Sequence, residues 1–90
     1  MKSEWDIAKG KANKSKHGID FETAGELWLD LHRIEIDAPH PVEGRKIIIA
    51  ALQGQLWTAV YTMRNDVIRI ISVRRARGKE AELYGKEKIG

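Results

Sequence analysis

The sequence predicts an α+β domain: a small antiparallel four-stranded sheet with two N-terminal helices and one C-terminal helix. Two stretches with helical spacing come first, strand-like runs joined by short turns follow, and a last helical stretch ends the series. Short turns join antiparallel strands, and helices placed before and after such a meander are typical of α+β domains. With 90 residues, the chain is expected to form one domain over residues 1–90.

The two N-terminal helices are predicted from their ends and their apolar spacing. Asp6 is a suitable N-cap for a helix over about residues 7–17, and Gly18 suits the left-handed position that follows many helices. Asp20 can cap a second helix over about residues 21–30. That helix carries apolar residues at the spacing of one helical face: Phe21, Ala24, Leu27 and Trp28.

The strands are predicted from alternating or β-rich runs. Four runs have this character: residues 33–38, 46–52, 56–62 and 67–73. Residues 2–5 fit an additional short strand before the first helix. The three tryptophans lie in or beside periodic apolar runs, so they are expected in the core rather than as stacking platforms: Trp5, Trp28 and Trp57.

Turns and a last helix complete the predicted fold. The sequence Gln53-Gly54-Gln55 gives hairpin spacing, and residues 64–66 give a second turn. Residues 39–44 contain two prolines and a glycine, which predicts a loop. A helix is expected from Ala76 to about Lys88, and Gly78 would weaken it by about 1 kcal/mol if it lay in the helix interior.

Charge is distributed unevenly along the chain, although the net charge is only +3. Residues 8–19 hold four lysines and no acid, residues 20–44 hold seven acids and one arginine, and residues 64–79 hold six bases and one aspartate. Two basic segments that meet on one face would attract a polyanion in a salt-dependent manner. The alternative is an ordinary solvated surface.

Composition argues against several classes of protein. The chain has no cysteine, so it has no disulfide framework and no thiolate metal site. Its three histidines, His17, His32 and His40, lack the spacing of metal ligands, and no glycine-rich phosphate loop is present. No apolar run resembles a signal peptide or a membrane span. We therefore expect a cytoplasmic protein with no metal, no cofactor and no membrane contact.

Several arginines lie along the last predicted strand and near its junction with the last predicted helix. In a regular strand, Arg69 and Arg75 would share one face of the sheet and Arg74 would lie on the other. A guanidinium group offers a planar set of donors that matches a phosphate group. In the alternative interpretation, Arg69 pairs with Glu35 or Asp37 on a neighbouring strand.

Other side chains suit proton transfer. Glu80 and Tyr84 are four residues apart on a predicted helix, where they could serve as a general base and a hydrogen-bond donor, or be an exposed acid and a docked tyrosine. His17 ends the first helix and could transfer protons or simply cap the helix. It adjoins a polar stripe on that helix: Lys9, Asn13 and Lys16.

Two segments resemble the BrnT family, which are ribonuclease toxins of type II toxin–antitoxin modules. The first is EWDIAKGKANKSKHGIDFETA, residues 4–24, and the second is VYTMRNDVIRIISVRRARGKEAELY, residues 60–84. The first shares Trp5-Asp6, Lys9, Asn13, Lys16-His17-Gly18, Phe21-Glu22 and Ala24. The second shares Tyr61-Thr62, Arg64, Ile68-Arg69-Ile70-Ile71-Ser72, Arg74-Arg75-Ala76, Glu80 and Tyr84. The chain departs from the family pattern at Arg77 and Gly78.

The resemblance implies a RelE-like fold and a metal-independent endoribonuclease that inhibits translation. It also implies a BrnA-like antitoxin whose ribbon-helix-helix part binds operator DNA, so that DNA is contacted only through the antitoxin. The expected assembly is a toxin–antitoxin hetero-oligomer. The alternative is a module that binds RNA or another protein and catalyses no cleavage.

Metal-independent RNA cleavage uses the 2′-hydroxyl as nucleophile, and it needs a base, cations for the phosphorane and an acid for the leaving oxygen. The hypothesis assigns Arg69, Arg74 and Arg75 to the phosphate. Glu80 or His17 would be the base, and Tyr84 would assist the leaving group or stack on RNA. Further cations would bind RNA: Lys9, Lys16, Arg64, Arg77 and Lys79.

Overall fold

The computed structural model describes residues 3–38 and 44–89, with side chains up to residue 86. The strands are β1 (Ser3–Glu4), β2 (Ile34–Asp37), β3 (Lys46–Leu52), β4 (Gln55–Arg64) and β5 (Val67–Arg75). The α-helices are α1 (Ile7–His17), α2 (Phe21–Ala24) and α3 (Gly78–Ile89), and a 3₁₀ helix (Gly25–Leu29) continues α2. Apart from Gly44, the loop predicted at residues 39–44 lies outside the described residues.

The strands form one mixed five-stranded sheet in the order β1-β5-β4-β3-β2. Strands β2 to β5 form the predicted antiparallel meander, but β1 adds a parallel strand beside β5, with Ser3 opposite Ile68 and Glu4 opposite Arg69. The prediction of a four-stranded, wholly antiparallel sheet was therefore wrong. The short strand predicted at residues 2–5 is confirmed, but its pairing was not predicted, because its partner lies at the other end of the chain.

The predicted second helix is divided into two kinds of helix. Residues 21–24 are α-helical and residues 25–29 form the 3₁₀ helix, so the single α-helix predicted over residues 21–30 was wrong. Gly25 stands at the change, and a side chain there would meet the Ser3 hydroxyl at 3.4 Å. The apolar residues of this segment are nevertheless buried, as the spacing predicted.

The hydrophobic core lies between one face of the sheet and the helices α1 and α2 with the 3₁₀ helix. We call this the core face of the sheet and the opposite side the outer face. Core-face residues include Ile48, Ala59, Tyr61 and Ile70, and the 3₁₀ helix supplies Leu27 and Trp28. Helix α3 contacts β2 and β3 from the outer face. Within the described residues, no helix is long and apolar enough to cross a membrane.

A β-bulge in β5 determines the face on which each arginine lies. Ile70 is opposite Tyr61 and Ser72 is opposite Val60, which leaves Ile71 without a partner. The extra residue keeps both Ile70 and Val73 on the core face. The prediction that Arg69 and Arg75 share a face was wrong, because the register places Arg69 with Arg74 on the outer face.

Helix α1 is held against β5 by Asn13. The Asn13 amide donates to the Ile19 carbonyl oxygen at 2.8 Å, and its oxygen accepts from the Val73 amide at 3.2 Å. Asn13 is buried, so the centre of the predicted polar stripe faces the protein interior. The predicted ends of α1 are confirmed: the Asp6 side chain accepts from the Lys9 amide, and Gly18 adopts a φ of 81°.

Candidate functional site

Arg74 and Glu80 form a bidentate ion pair on the outer face. The two terminal nitrogens of Arg74 donate to the two carboxylate oxygens of Glu80 at 2.8 and 2.7 Å. The Thr58 hydroxyl and the Arg77 backbone amide also donate to Glu80, at 2.9 and 2.8 Å. These donors, Arg74 above all, lower the pKa of Glu80 to about 2.

The environment of Glu80 makes it an anchor for Arg74. A carboxylate with such a low pKa is a weak proton acceptor at neutral pH. Hydrogen bonding to Glu80 raises the pKa of Arg74. The two parallel hydrogen bonds also fix the plane of the guanidinium group. Thr58, which is only 1% exposed, donates to the same carboxylate oxygen as one Arg74 nitrogen and the Arg77 amide. Nothing in the sequence pattern pointed to this threonine, because it lies 22 residues from Glu80.

Arg75 lies on the core-face side, at the end of β5. Its guanidinium carbon is 5.6 Å from the centre of the Trp57 ring, which is the arrangement of a cation–π contact. Arg75 is exposed and makes no ion pair with any side chain that the structure describes. The stacked guanidinium group keeps its donor edges available to an anion.

The end of α1 approaches the same end of the sheet. Gly18, which follows His17 directly, lines a cavity together with Trp57, the residue on which Arg75 stacks. His17 is half-buried in the last turn of α1. The structure thus places His17 on the Arg75 side of the sheet, whereas Glu80 is on the Arg74 side.

Arg69 pairs with Glu4 of β1 at 3.4 Å. The alternative interpretation was right that Arg69 meets a carboxylate on a neighbouring strand, but it named the wrong residues. Glu35 and Asp37 lie on β2, at the opposite edge of the sheet from β1. The side chains of Arg69 and Glu4 are 40% and 46% exposed, so water screens the pair and it contributes little to stability.

Tyr84 docks α3 onto the rest of the fold. It is 6% exposed, and its hydroxyl donates to Asp30 at 2.7 Å. The Ala51 amide donates to the same carboxylate oxygen at 2.9 Å, so Asp30 joins α3 to β3. Burial and the hydrogen bond to Asp30 raise the pKa of Tyr84 to about 12. The sequence suggested a docked tyrosine as one alternative but gave no sign of Asp30.

We expect Tyr84→Phe to lower the free energy of unfolding by about 1 kcal/mol, because it removes one hydrogen bond and keeps the ring. Urea denaturation followed by circular dichroism would measure the change. Leu83→Ala, on the exposed side of α3, is a control for changes in the helix alone. An unchanged midpoint for Tyr84→Phe would contradict a stabilising bond to Asp30.

The other predicted RNA-binding residues fall into separate groups. Arg77 and Lys79 lie at the start of α3, beside the end of β5. With Arg74 and Arg75 they form a group that we call the β5 C-terminal cluster. Arg64 lies at the other end of the sheet, opposite Val67. Lys9 and Lys16 are exposed on α1, on either side of Asn13. The chain therefore concentrates fixed positive charge where β5 meets α3.

Comparison with known proteins identifies the family. Residues 5–80 match the family described as "Ribonuclease toxin, BrnT, of type II toxin-antitoxin system". No curated protein matches the chain. The matched part includes α1, all of β2 to β5 and the Arg74–Glu80 pair. A type II system pairs its toxin with an antitoxin, so the family implies an antitoxin partner. The chain belongs to the BrnT family of ribonuclease toxins of type II toxin–antitoxin systems.

Proposed function

We propose that this protein is a cytoplasmic toxin that cleaves RNA internally without a metal ion and so inhibits translation. One observation carries the proposal: the end of β5 presents the guanidinium groups of two consecutive residues, on opposite faces of the sheet, and each is fixed in a different way. Arg74 is held by Glu80 and Arg75 is stacked on Trp57. Fixed donors stabilise developing charge without reorganising during the reaction.

Arg75 is the principal phosphate ligand in this proposal. It is exposed and has no carboxylate partner among the described side chains, so an RNA phosphate can approach its donor edges. Arg74 lies on the outer face of the same strand end, where Glu80 balances much of its charge, so it contributes less than Arg75. Arg77 and Lys79 of the β5 C-terminal cluster then bind neighbouring phosphates.

His17 is the better candidate for the base that accepts the 2′-hydroxyl proton. Glu80 was the other candidate, but its four hydrogen bonds and its pKa of about 2 suit an anchor. An imidazole is the usual group for proton transfer near neutral pH. Because the Tyr84 hydroxyl is engaged by Asp30, we assign the proton for the leaving 5′ oxygen to solvent at this open surface.

The remaining cations extend the RNA-binding surface. Arg64, Lys9 and Lys16 are exposed, and Arg69 has only a solvent-exposed partner that a phosphate could displace. Such contacts make binding weaker as the salt concentration rises. They would guide RNA to the cluster without taking part in the chemistry.

The proposed partner is a BrnA-like antitoxin with a ribbon-helix-helix part. Its acidic side chains would pair with the β5 C-terminal cluster, and the complex would contact operator DNA through the antitoxin alone. The sheet with its flanking helices supports the proposal of a RelE-like fold. The assembly would be a toxin–antitoxin hetero-oligomer.

End-labelled RNA incubated with the purified protein in EDTA tests the proposed reaction. We expect cleavage with 2′,3′-cyclic phosphate ends, and a loss of about a hundredfold or more for Arg75→Ala. Lys11→Ala is the matched control, because it removes an exposed positive charge outside the cluster. Full activity of Arg75→Ala would contradict the assigned site.

A non-catalytic RNA-binding module is the second candidate. The observation that favours it is that the carboxylate nearest the arginines, Glu80, is fully engaged. Intact RNA in a salt-sensitive complex would support this candidate. Repeating the assay with translating ribosomes would separate a binding module from a toxin that requires the ribosome.

A further inference from the structure

A cavity of about 250 Å³ adjoins the stacked Trp57–Arg75 pair. The end of α1, the start of α2 and the β3–β4 turn surround it. The residues that line it include Trp57, Asp20, Lys14 and Gln53. Trp57 supports Arg75 in the proposed cleavage, whereas Lys14, Asp20 and Gln53 have no role in it.

We infer that this cavity binds one base of the RNA strand, and that it selects guanine. The inference rests on the proposed function for its substrate class, but it makes a separate claim about recognition. Single-stranded RNA is commonly recognised by bases that leave the stack and enter protein pockets. A cavity of this size suits a single base rather than a larger ligand.

The position of the cavity links it to the proposed phosphate ligand. Trp57 forms one wall and also supports Arg75. A phosphate bound to Arg75 therefore places a neighbouring base beside the Trp57 wall. Aromatic walls favour flat bases, whatever their hydrogen-bonding pattern.

The Asp20 carboxylate supplies the selectivity. One of its oxygens accepts from the Thr23 amide at 2.7 Å, and the other lies 4.0 Å from the Lys14 amino group, which is too far for a hydrogen bond. Each carboxylate oxygen offers two acceptor sites, so both oxygens retain acceptor capacity beside these contacts. The Thr23 hydrogen bonds lower the pKa of Asp20, which keeps the carboxylate ionised.

Guanine fits this acceptor better than the other bases. It presents a ring N–H and an amino group side by side, a pair of donors that matches a carboxylate. Adenine and cytosine present one amino group beside a ring acceptor that a carboxylate would repel, and uracil presents a single N–H. Lys14 and Gln53 can then donate to the guanine O6 atom.

Binding of the four ribonucleoside monophosphates, followed by NMR, tests the inference without requiring cleavage. We expect GMP to shift the Trp57 indole and Thr23 amide signals, with weaker binding of AMP, CMP and UMP. Asp20→Asn should weaken GMP binding about tenfold. It keeps the helix cap, because asparagine caps as well as aspartate does. Asp6→Asn, the same change at the cap of α1, is the matched control and should leave GMP binding unchanged.

The outcomes separate this inference from the proposed function. Selective GMP binding without any RNA cleavage would uphold the pocket and contradict the ribonuclease. Cleavage with equal binding of all four nucleotides, or GMP shifts remote from Trp57 and Thr23, would overturn the pocket. Unchanged GMP binding by Asp20→Asn would also overturn it. If both hold, sequencing of the RNA ends should show guanine enriched at a fixed position, and Asp20→Asn should reduce that enrichment.

Discussion

Replacing Glu80 with glutamine is expected to lower the free energy of unfolding by about 3 kcal/mol at neutral pH. The pKa of Glu80 falls from an ordinary 4.5 to about 2 in the folded protein. A carboxylate whose pKa is lowered on folding contributes its full stabilisation at pH values above the pKa that it has in the unfolded chain. That contribution is lost as the pH falls from 4.5 towards 2. The charge on Glu80 therefore contributes to stability throughout the neutral range.

Chemical denaturation at several pH values would measure this effect. The native protein should lose stability steeply between about pH 4.5 and pH 2, and Glu80→Gln should show a flatter dependence. Some acid dependence will remain, because Asp30 and Glu35 also have lowered pKa values. Glu82→Gln, at an exposed position of the same helix, should behave like the native protein. Equal slopes for the native protein and Glu80→Gln would show that the pair with Arg74 adds nothing.

Asn13→Ala is the second substitution with a large expected effect, a loss of about 2–3 kcal/mol in the free energy of unfolding. It removes two hydrogen bonds and leaves the Val73 amide and the Ile19 carbonyl without partners. Both groups lie at the junction of α1 with β5. The cost exceeds that of an ordinary surface change because a buried, unpaired polar group has lost its interaction with water.

Thermal denaturation and hydrogen exchange would test the role of Asn13. The Val73 amide should exchange much faster in Asn13→Ala than in the native protein. Ser15→Ala, on the exposed side of α1, should leave that amide protected. Slow exchange at Val73 in Asn13→Ala would show that α1 stays in place without the asparagine.

Local patterns predicted the ends of α1 and the meander well, because the interactions that fix them are local. Asp6 and Gly18 bound α1 through contacts within four residues. Local patterns did not predict the features that depend on contacts between residues distant in the sequence. The bulge at Ile71 cannot be read from β5 alone, because it is defined by pairing with β4. The pairing of β1 with β5 likewise depends on residues far apart in the sequence.

The sequence predicted the candidate site only in part, because some of its contacts are local and others join residues distant in the sequence. The sequence placed Arg74 and Glu80 near each other, since they flank a strand–helix junction, and the structure joins them. It did not reveal that Glu80 also binds Thr58, nor that Arg75 stacks on Trp57. Those contacts cross from β5 and α3 to β4. The roles of these residues in RNA cleavage stay predictions.

The parallel pairing of β1 with β5 has a consequence for synthesis of the toxin. Glu4 and Arg69 meet although 65 positions separate them. Contacts between residues so far apart in the sequence form late in folding. Closing the long intervening loop costs conformational entropy before any contact can offset that cost. During synthesis, strands β2 to β4 can pair before β5 is translated. Strand β1 can join the sheet only after β5 has been made, because β5 is its pairing partner. The arginines of β5 are among the last parts of the sheet to be translated, so an unfinished chain has no complete basic surface.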